Sequence, residues 1–485
     1  MATGVFTPYS TGEEFFGAKP TWISDDLDIQ RILSYQLYEQ MYWNVPDVFK
    51  VSLRGSNSLP IYIPSARTII DTTNRYVGAD LKVVCSGTAG TTLTAAQMAV
   101  NDLIKRERYN SKFSGKKRYG LIQGDSVWHL TADPAKPVGT RIRITALDPG
   151  MYFPIPDPDD VDRVIGCHLV QQMSTDDGPR VRVLTYRKTD QGSITVEEGI
   201  FEPDKWQDPE AGPETIVQKE TVLPPQITSL PVYHTKNSEQ PGDPFGSSEV
   251  RGLERIMSAV NQTMSDEDLS AALLGIGMYA TDSDKPTDDK GKEMPWQLGP
   301  GRVVHYNGTS WQKVGGASEI DEVYGAHYNR LWEALFRVSS TPEIAVGMVD
   351  VSVASSGIAL ALQLGPMLAK AGEKNQLLLD IENQFWFDIL TMWFPAYEQS
   401  TFEGIGVECV VGDAVPVDRV ARFAELNDML DRGVIDTEYY RTEAKKLGYT
   451  FPDNIGTTAT AEFQQRNSDQ FGARLNEETD NSGAA

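Results

Sequence analysis

Residues 244–277 read PFGSSEVRGLERIMSAVNQTMSDEDLSAALLGIG, and the interpretation of the whole chain turns on them. Val250, Leu253, Ile256 or Met257, Val260 and Met264 recur at intervals of three and four, a spacing that lines one face of a helix. Ser247 or Ser248 suits the N-cap, and Glu249 would follow in the first turn, where the helix dipole favours a carboxylate. The pattern runs out at Gly275 and Gly277. It predicts one long amphipathic helix whose apolar face needs a partner.

Downstream, residues 278–314 are polar and rich in Gly and Pro, with one short strand pattern at Arg302 to Tyr306, and read as a small β-containing insertion. Ser318, with Asp321 at the capping-box position, opens a second helix carrying Tyr324, Leu331, Trp332, Leu335 and Phe336. Pro342 stops it. A loop of small residues follows from Glu343 to Ala354, and Ser355 or Ser356 begins a third helical pattern that extends to Phe394, with a kink expected at Pro366. Between Asp413 and Tyr449, Val420, Phe423, Leu426, Met429, Leu430, Val434, Ile435 and Tyr439 predict a small helical module. Beyond Phe451 apolar residues thin out, and a disordered tail is expected.

Upstream, Asp25 and Asp26 as caps, then Ile29, Ile32, Leu33, Leu37 and Met41, predict an amphipathic helix; a second runs from Ser65 through Ile69, Ile70, Thr73 and Val77. Residues 127–232 are rich in β-branched runs broken by Pro, Gly and Asp, notably 141–144, 163–170, 181–186 and 193–196. The fold class is therefore α+β, with a mostly β block ahead of long helices.

At 485 residues, 40% hydrophobic and 23% charged, the chain can bury a sizeable core and should divide into several domains. It has no uninterrupted apolar run long enough to span a bilayer, and residues 1–20 lack the regions of a secretory signal, so a chain folded in a cytoplasm is expected. Cys85, Cys167 and Cys409 show no CxxC spacing and read as buried free thiols. A net charge of −24 argues against tight wrapping by nucleic acid, which depends on Lys and Arg releasing phosphate counterions. It leaves room for a duplex that slides past.

Catalytic signatures are missing. The Gly-Lys pairs at Gly115 and Gly291 continue with Lys117 and Glu293, so there is no phosphate-cradling loop, and Trp128 stands where a nucleophile elbow after Gly124 needs its second Gly. His129, His168, His234, His305 and His327 lie on separate segments without ligand spacing, and the run Asp282, Asp284, Asp288 and Asp289 lacks the Gly and Glu of a calcium loop. No catalytic, cofactor or metal site is expected. Lys105, Arg106, Arg108, Lys112, Lys116, Lys117 and Arg118 form one basic cluster interleaved with aromatics. It reads either as a contact patch for phosphates or an acidic partner, or as a solvated helix end and loop. Trp296 and Trp311, in a polar insertion, either close a mini-core or anchor another chain.

The order helix, small β insertion, returning helix, small-residue loop and long helix resembles the stem, clip, stem, tunnel loop and wing helix of tailed-phage portal proteins of the siphophage type. Particular phrases are similar too: Pro244 to Glu249 with Asn261 and Ser265; Ser355 to Leu360; Ile69 to Asp71 with Tyr76 and Gly78; Gly124 to Ser126; Asp148 and Pro149 to Asp157; and Arg432 to Asp436. The resemblance implies an α+β portal fold with a mixed α/β wing, helical stem, small β-containing clip and helical crown. Its divisions would be arm and wing at 1–246, stem helices at 247–274 and 318–341 around a clip at 275–317, a tunnel loop at 342–357, the long wing helix at 358–400, a crown at 401–455 and a tail at 456–485.

It further implies a virion protein without enzymatic activity, a ring of about twelve copies at one capsid vertex. The ring would pass double-stranded DNA during packaging and ejection, in contact with the terminase large subunit, a head-tail adaptor, and the major capsid and scaffolding proteins. Val349, Asp350, Val351 and Ser352 would face the channel, where Asp350 is the only charge between Glu343 and Lys370. Trp296 and Trp311 would meet clip partners. Two other classes stay open: another virion component such as an adaptor or minor capsid protein, and a glycan-acting hydrolase, which would suit the acidic composition and nine tryptophans.

Overall fold

The computed structural model describes residues 25–52, 59–87, 90–176, 178–189, 191–201, 217–239, 242–276, 278–281, 287, 289–293, 311–314, 324–347, 357–412 and 419–446. The chain divides into two compact units, Met1–Ala414 and Val415–Ala485. In chain order the first unit contains α1 (Gln30–Tyr42), α2 (Ser65–Tyr76), β1 (Lys82–Ser86), α3 (Thr91–Glu107), α4 (Tyr109–Gln123), β2 (Asp125–Ala132), β3 (Ile142–Leu147), β4 (Tyr152–Asp157), β5 (Asp160–Thr175) and β6 (Gly178–Lys188). It continues with β7 (Ile194–Phe201), β8 (Val217–Val222), β9 (Val232–Lys236), α5 (Glu254–Ile276), β10 (Met278–Thr281), β11 (Trp311–Val314), α6 (Ala326–Val338), α7 (Gly357–Asp388) and β12 (Gly406–Val410). The fold is α+β.

Two antiparallel sheets build the β block. β4 to β8 form a five-stranded meander in chain order, and β3-β2-β9 a three-stranded sheet. Pro154 and Pro156 lie in β4, an edge strand, where a missing N–H breaks no inner ladder, and the register shifts there. Side-chain alternation assigns the faces. On β6, Val181 and Val183 pack with Ile29 and Ile32 beside α1, while Leu184 and Tyr186 pack with Val127 of β2. On β2 itself, Val127 faces the five-stranded sheet, and Trp128 and Leu130 face α3, α4 and α7.

That second face carries the largest core. Trp128 stacks at 5.5 Å on both Tyr109 of α4 and Phe385 of α7, and Tyr233 of β9 meets Phe385 edge-on at 5.2 Å. β1 and β12 pair antiparallel, so residues 406–410 belong to the first unit. Cys85, Cys167 and Cys409 are free and buried.

Several expectations change. On α1 the buried face is Arg31, Ile32, Tyr35, Tyr38, Met41 and Tyr42, whereas Leu33 and Leu37 are 41% and 38% exposed. Long amphipathic side chains with hydrogen-bonding tips, not leucines, meet the sheet. The expected helix from Ser247 begins only at Glu254: residues 249–252 form turns, and Gly252 at φ +85° takes a left-handed conformation that interrupts helical geometry. α7 contains Pro366, the position of the expected kink, within its span and ends at Asp388, where a π-helical segment, Ile389–Glu398, takes over ahead of the expected end at Phe394. The strand expected at 302–306, the helix start at Ser318 and the tail beyond Phe451 lie outside the described residues.

In the second unit, α8 (Arg419–Asp431) and α9 (Thr437–Lys446) form the expected helical module. Leu426 and Ala444 are buried, Phe423 meets Tyr440 at 6.0 Å, and the Tyr440 hydroxyl donates to Asn427 Oδ1 at 2.7 Å. Among the described residues no helix is long and apolar enough to cross a membrane.

Candidate functional site

Three residues fasten α5 to the extended segment ahead of α2. Asn261 Oδ1 accepts from Ile63 N and Ser265 Oγ from Ile61 N, both at 2.9 Å, and the Gln262 amide exchanges two bonds with the backbone of Ser52, at 2.6 and 3.1 Å. A helix side chain can satisfy an extended backbone this way only where both stay in fixed register, so α5 is held along its second and third turns. Val250, Leu253 and Met257 then share a buried cluster with Leu335 of α6. Farther along, Ser270 Oγ donates to the Tyr324 hydroxyl at 3.3 Å.

At the far end of this helix pair, β10 and β11 pair antiparallel from Met278↔Val314 to Thr281↔Trp311, and an isolated bridge joins Thr287 to Glu293. Helix, two-stranded ribbon and returning helix thus form one unit. Tyr328, Trp332 and Phe336 follow one another up α6, with ring centroids 5.9 and 5.0 Å apart, and line an apolar groove of about 960 Å³.

Where α5 departs from the sheets, several phrases singled out in the sequence come together. Asp125 Oδ1 accepts from His234 Nε2 at 2.6 Å and from Gly246 N at 2.8 Å, and Asp125 Oδ2 accepts from the Tyr35 hydroxyl. Burial acts to raise the Asp125 carboxyl, but the bond from His234, with Tyr35 and Gly246, holds it below the usual range. Beside it Arg31 donates to Pro149 O at 3.0 Å and Tyr152 O at 3.1 Å, with its guanidinium 4.1 Å from the Phe245 ring.

Gly124 and Gly246 cross backbone to backbone. A Cβ on Gly246 would run into the Gly124 carbonyl oxygen and lie 2.8 Å from Asn237 N. Gly246→Ala is therefore expected to cost about 2 kcal/mol through overpacking, measured as a lowered urea midpoint with an unchanged slope.

Glu249 is the hub of the junction. One carboxylate oxygen takes Lys370 and the other Lys374, both from α7, and Asn237 Nδ2 adds a bond at 3.1 Å. Lys370 also donates to Ser339 O at the end of α6 (2.8 Å) and to Thr73 Oγ1 of α2 (3.2 Å). Lys374 reaches Asn237 O and Oδ1, each at 3.1 Å. Burial alone would raise the Glu249 carboxyl, but the two ammonium groups outweigh it and bring it down to about 2.

The seven basic residues of residues 105–118 separate. Lys116 is fully buried and pairs with Glu382 of α7 at 2.8 Å, which differs from a solvated helix end. Lys112 reaches Glu107 at 3.0 Å and the Ile144 carbonyl, Lys117 the carbonyls of Asn74 (3.1 Å) and Val77, and Arg106 those of Ile142 (3.0 Å) and Gly139. Arg118 pairs with Asp71 at 3.6 Å from a half-exposed position, and Lys105 and Arg108 face outward.

Trp311 sits on β11 opposite Thr281. Trp296, Val349, Asp350, Val351 and Ser352 lie outside the described residues, as does His305. His129 meets the Tyr186 hydroxyl and His168 the Thr185 hydroxyl, both at 2.9 Å inside the sheets. Among the described residues no three His, Cys, Asp or Glu side chains converge in a way that could hold a metal. Lys370, Lys374 and Glu382 carry no sequence signal beyond being charges inside an otherwise apolar helical pattern.

No protein-family model and no curated protein matches this chain. Among solved structures it is similar to a chain in the virion of a native gene transfer agent particle, with a TM-score of 0.46 and 12% identity over 90% of this chain and 96% of that one. It is also similar to a chain in the neck of the native particle computed with C12 symmetry, with a TM-score of 0.43 and 14% identity over 82% and 97%. A third is in the neck of the empty particle computed with C6 symmetry, at 0.46 and 13% over 93% and 100%. At these scores the likeness carries nothing about what this chain does.

Proposed function

We propose that the chain is a portal protein of a tailed phage or phage-like particle, a ring-forming virion subunit at one capsid vertex through which double-stranded DNA passes, and that it does no chemistry itself. The observation that supports this most is the helix–ribbon–helix unit of α5, β10, β11 and α6, fastened to the extended segment ahead of α2 by the Asn261–Gln262–Ser265 clamp and followed by α7. The order and the anchoring are what a ring subunit needs: a projecting pair of helices to line a channel, a ribbon at their tip to meet partners, and a rigid wing behind them.

In this reading the residues 343–356 approach the duplex with Asp350 as their single charge after Glu343, so the strand is repelled weakly and not gripped. The ribbon docks the terminase large subunit and later the head-tail adaptor, while the wing meets capsid and scaffolding proteins. Energy for translocation comes from the partner motor.

Purified full-length protein imaged by negative stain, with its mass read by photometry, tests the proposal. A closed ring of about twelve copies with a central hole is the expected result, since head-to-tail interfaces that close by rotation give such rings. Monomers that stay monomeric in the presence of capsid and scaffolding protein would overturn it.

A further inference from the structure

α1 meets the core with Arg31, Ile32, Tyr35, Tyr38, Met41 and Tyr42, and its outward residues have an uncommon composition. From 30 to 43 the exposed positions are Gln30, Leu33, Leu37, Gln40 and Trp43, spaced by three or four so that they form one stripe. Trp43 is 55% exposed. None of the five is charged, although 23% of the chain is and its net charge is −24. A helix face that stays in water carries charged and polar side chains; one dominated by Leu and Trp gains by giving its water up to a partner.

The groove along α6 is a second open apolar surface. Besides Tyr328, Trp332 and Phe336 it is lined by Ile63, Pro342 and Val346, and among the described residues by none from α1. Glu333 and Arg337 on its rim pair with each other, and Glu343 is the other charge in its described lining. Stripe and groove are thus two nearly neutral surfaces on different elements of one acidic subunit, and neither covers the other.

We infer, on the ring-forming reading above, that the α1 stripe of one copy seats in the α6 groove of the next and makes the apolar centre of the interface that closes the ring. Charge favours a second copy as the occupant. Identical chains at −24 repel, so they meet at least cost where each presents no net charge, and these two surfaces do so. Because the surfaces differ, each copy offers the stripe to one neighbour and the groove to the other, which is the head-to-tail arrangement that closes by rotation. Their pitch also agrees. Leu33 and Leu37 stand one helical turn apart, about 6 Å along the axis, and the rings of the groove step at 5.9 and 5.0 Å, so the ridge of one helix meets hollows of matching spacing.

The test uses the full-length chain. Leu33→Glu combined with Leu37→Glu alters two exposed side chains, so it should keep the wild-type circular dichroism spectrum while the ring mass is lost to monomer in photometry. A double variant that still assembles into rings of wild-type mass overturns the inference and leaves the ring-forming reading standing. A wild type that makes no ring, even with capsid and scaffolding protein, takes down both. Leu37→Cys supplies a readout without an added charge, since the native cysteines are buried. Its thiol should react in monomers fractionated by size and be protected in rings. Protection already in the monomer would mean that residues 1–24 of the same chain cover the stripe, and reactivity in the ring would leave it for a different protein; either result overturns the inference. Leu37→Cys combined with Asn329→Cys, Glu333→Cys or Arg337→Cys locates the seat: oxidation of assembled rings should link neighbouring copies in at least one combination, and no link in any of the three rejects the groove.

Discussion

Glu249→Gln is expected to destabilise the protein by about 3–5 kcal/mol, the range for breaking a buried ion pair from one side. The substitution keeps the shape and one acceptor oxygen, but it leaves the ammonium groups of Lys370 and Lys374, side chains that are 12% and 10% exposed, without their anion. Lys370 retains Ser339 O and Thr73 Oγ1, and Lys374 retains Asn237; neutral acceptors offset only part of the cost of a charge held away from water. Lys370→Met added to Glu249→Gln should therefore recover stability relative to the single variant. The same hub fixes an acid limit. The Glu249 carboxyl stands at about 2 in the folded chain against an ordinary 4.5, so its contribution is complete above pH 4.5 and is lost as pH falls toward 2, a change of about 3 kcal/mol. Glu249→Gln should lose less stability over that window than the wild type, which urea midpoints at pH 5 and pH 3 would show.

Periodicity revealed those elements whose buried face is made of aliphatic residues. Ile69, Ile70 and Thr73 lie on the buried face of α2, and Val250, Leu253, Met257 and Val260 are buried as their spacing requires. It misplaced elements whose partners are polar. α1 turns Arg31 and Tyr35 inward because carbonyls of the β3–β4 corner and Asp125 are there to receive them, and that information lies about a hundred residues away in sequence. The start of α5 slid from Ser247 to Glu254 because Gly252, at φ +85°, interrupts helical geometry. Glu249, an adequate first-turn residue in isolation, lies in the turn ahead of it and meets two lysines more than 120 positions later.

The candidate site was legible as a succession of elements and not as a set of contacts. Asn261 and Ser265 stand out in the sequence as part of a phrase, but nothing in α5 says that they hold the backbone of Ile63 and Ile61. The basic run around Lys116 shows the limit most sharply. Charge runs face water unless an opposite charge is delivered to them, and Glu382, which removes Lys116 from the surface, lies 266 residues downstream.

That pair yields the second large effect. Glu382→Gln should cost about 3–5 kcal/mol, because it leaves the Lys116 ammonium, fully enclosed, with the Thr235 hydroxyl at 2.8 Å and an amide oxygen as its only named acceptors. Two effects compete in the double variant Lys116→Met with Glu382→Leu. Replacing a buried ion pair by apolar groups of similar volume is often neutral or stabilising by about 1–4 kcal/mol. Here, however, the carboxylate also accepts from Trp128 Nε1 at 2.8 Å and from the Tyr109 hydroxyl at 2.6 Å. Those two buried donors would lose their acceptor, at about 1–3 kcal/mol each. The second effect outweighs the first, so the double variant should be more stable than Glu382→Gln yet remain below the wild type, as urea midpoints of the three proteins would show. A double variant as stable as the wild type would mean that Tyr109 and Trp128 find other acceptors. The joint between α4, β2 and α7 would then be held by the stacked rings of Tyr109, Trp128 and Phe385, with the charges contributing only the register in which those rings meet.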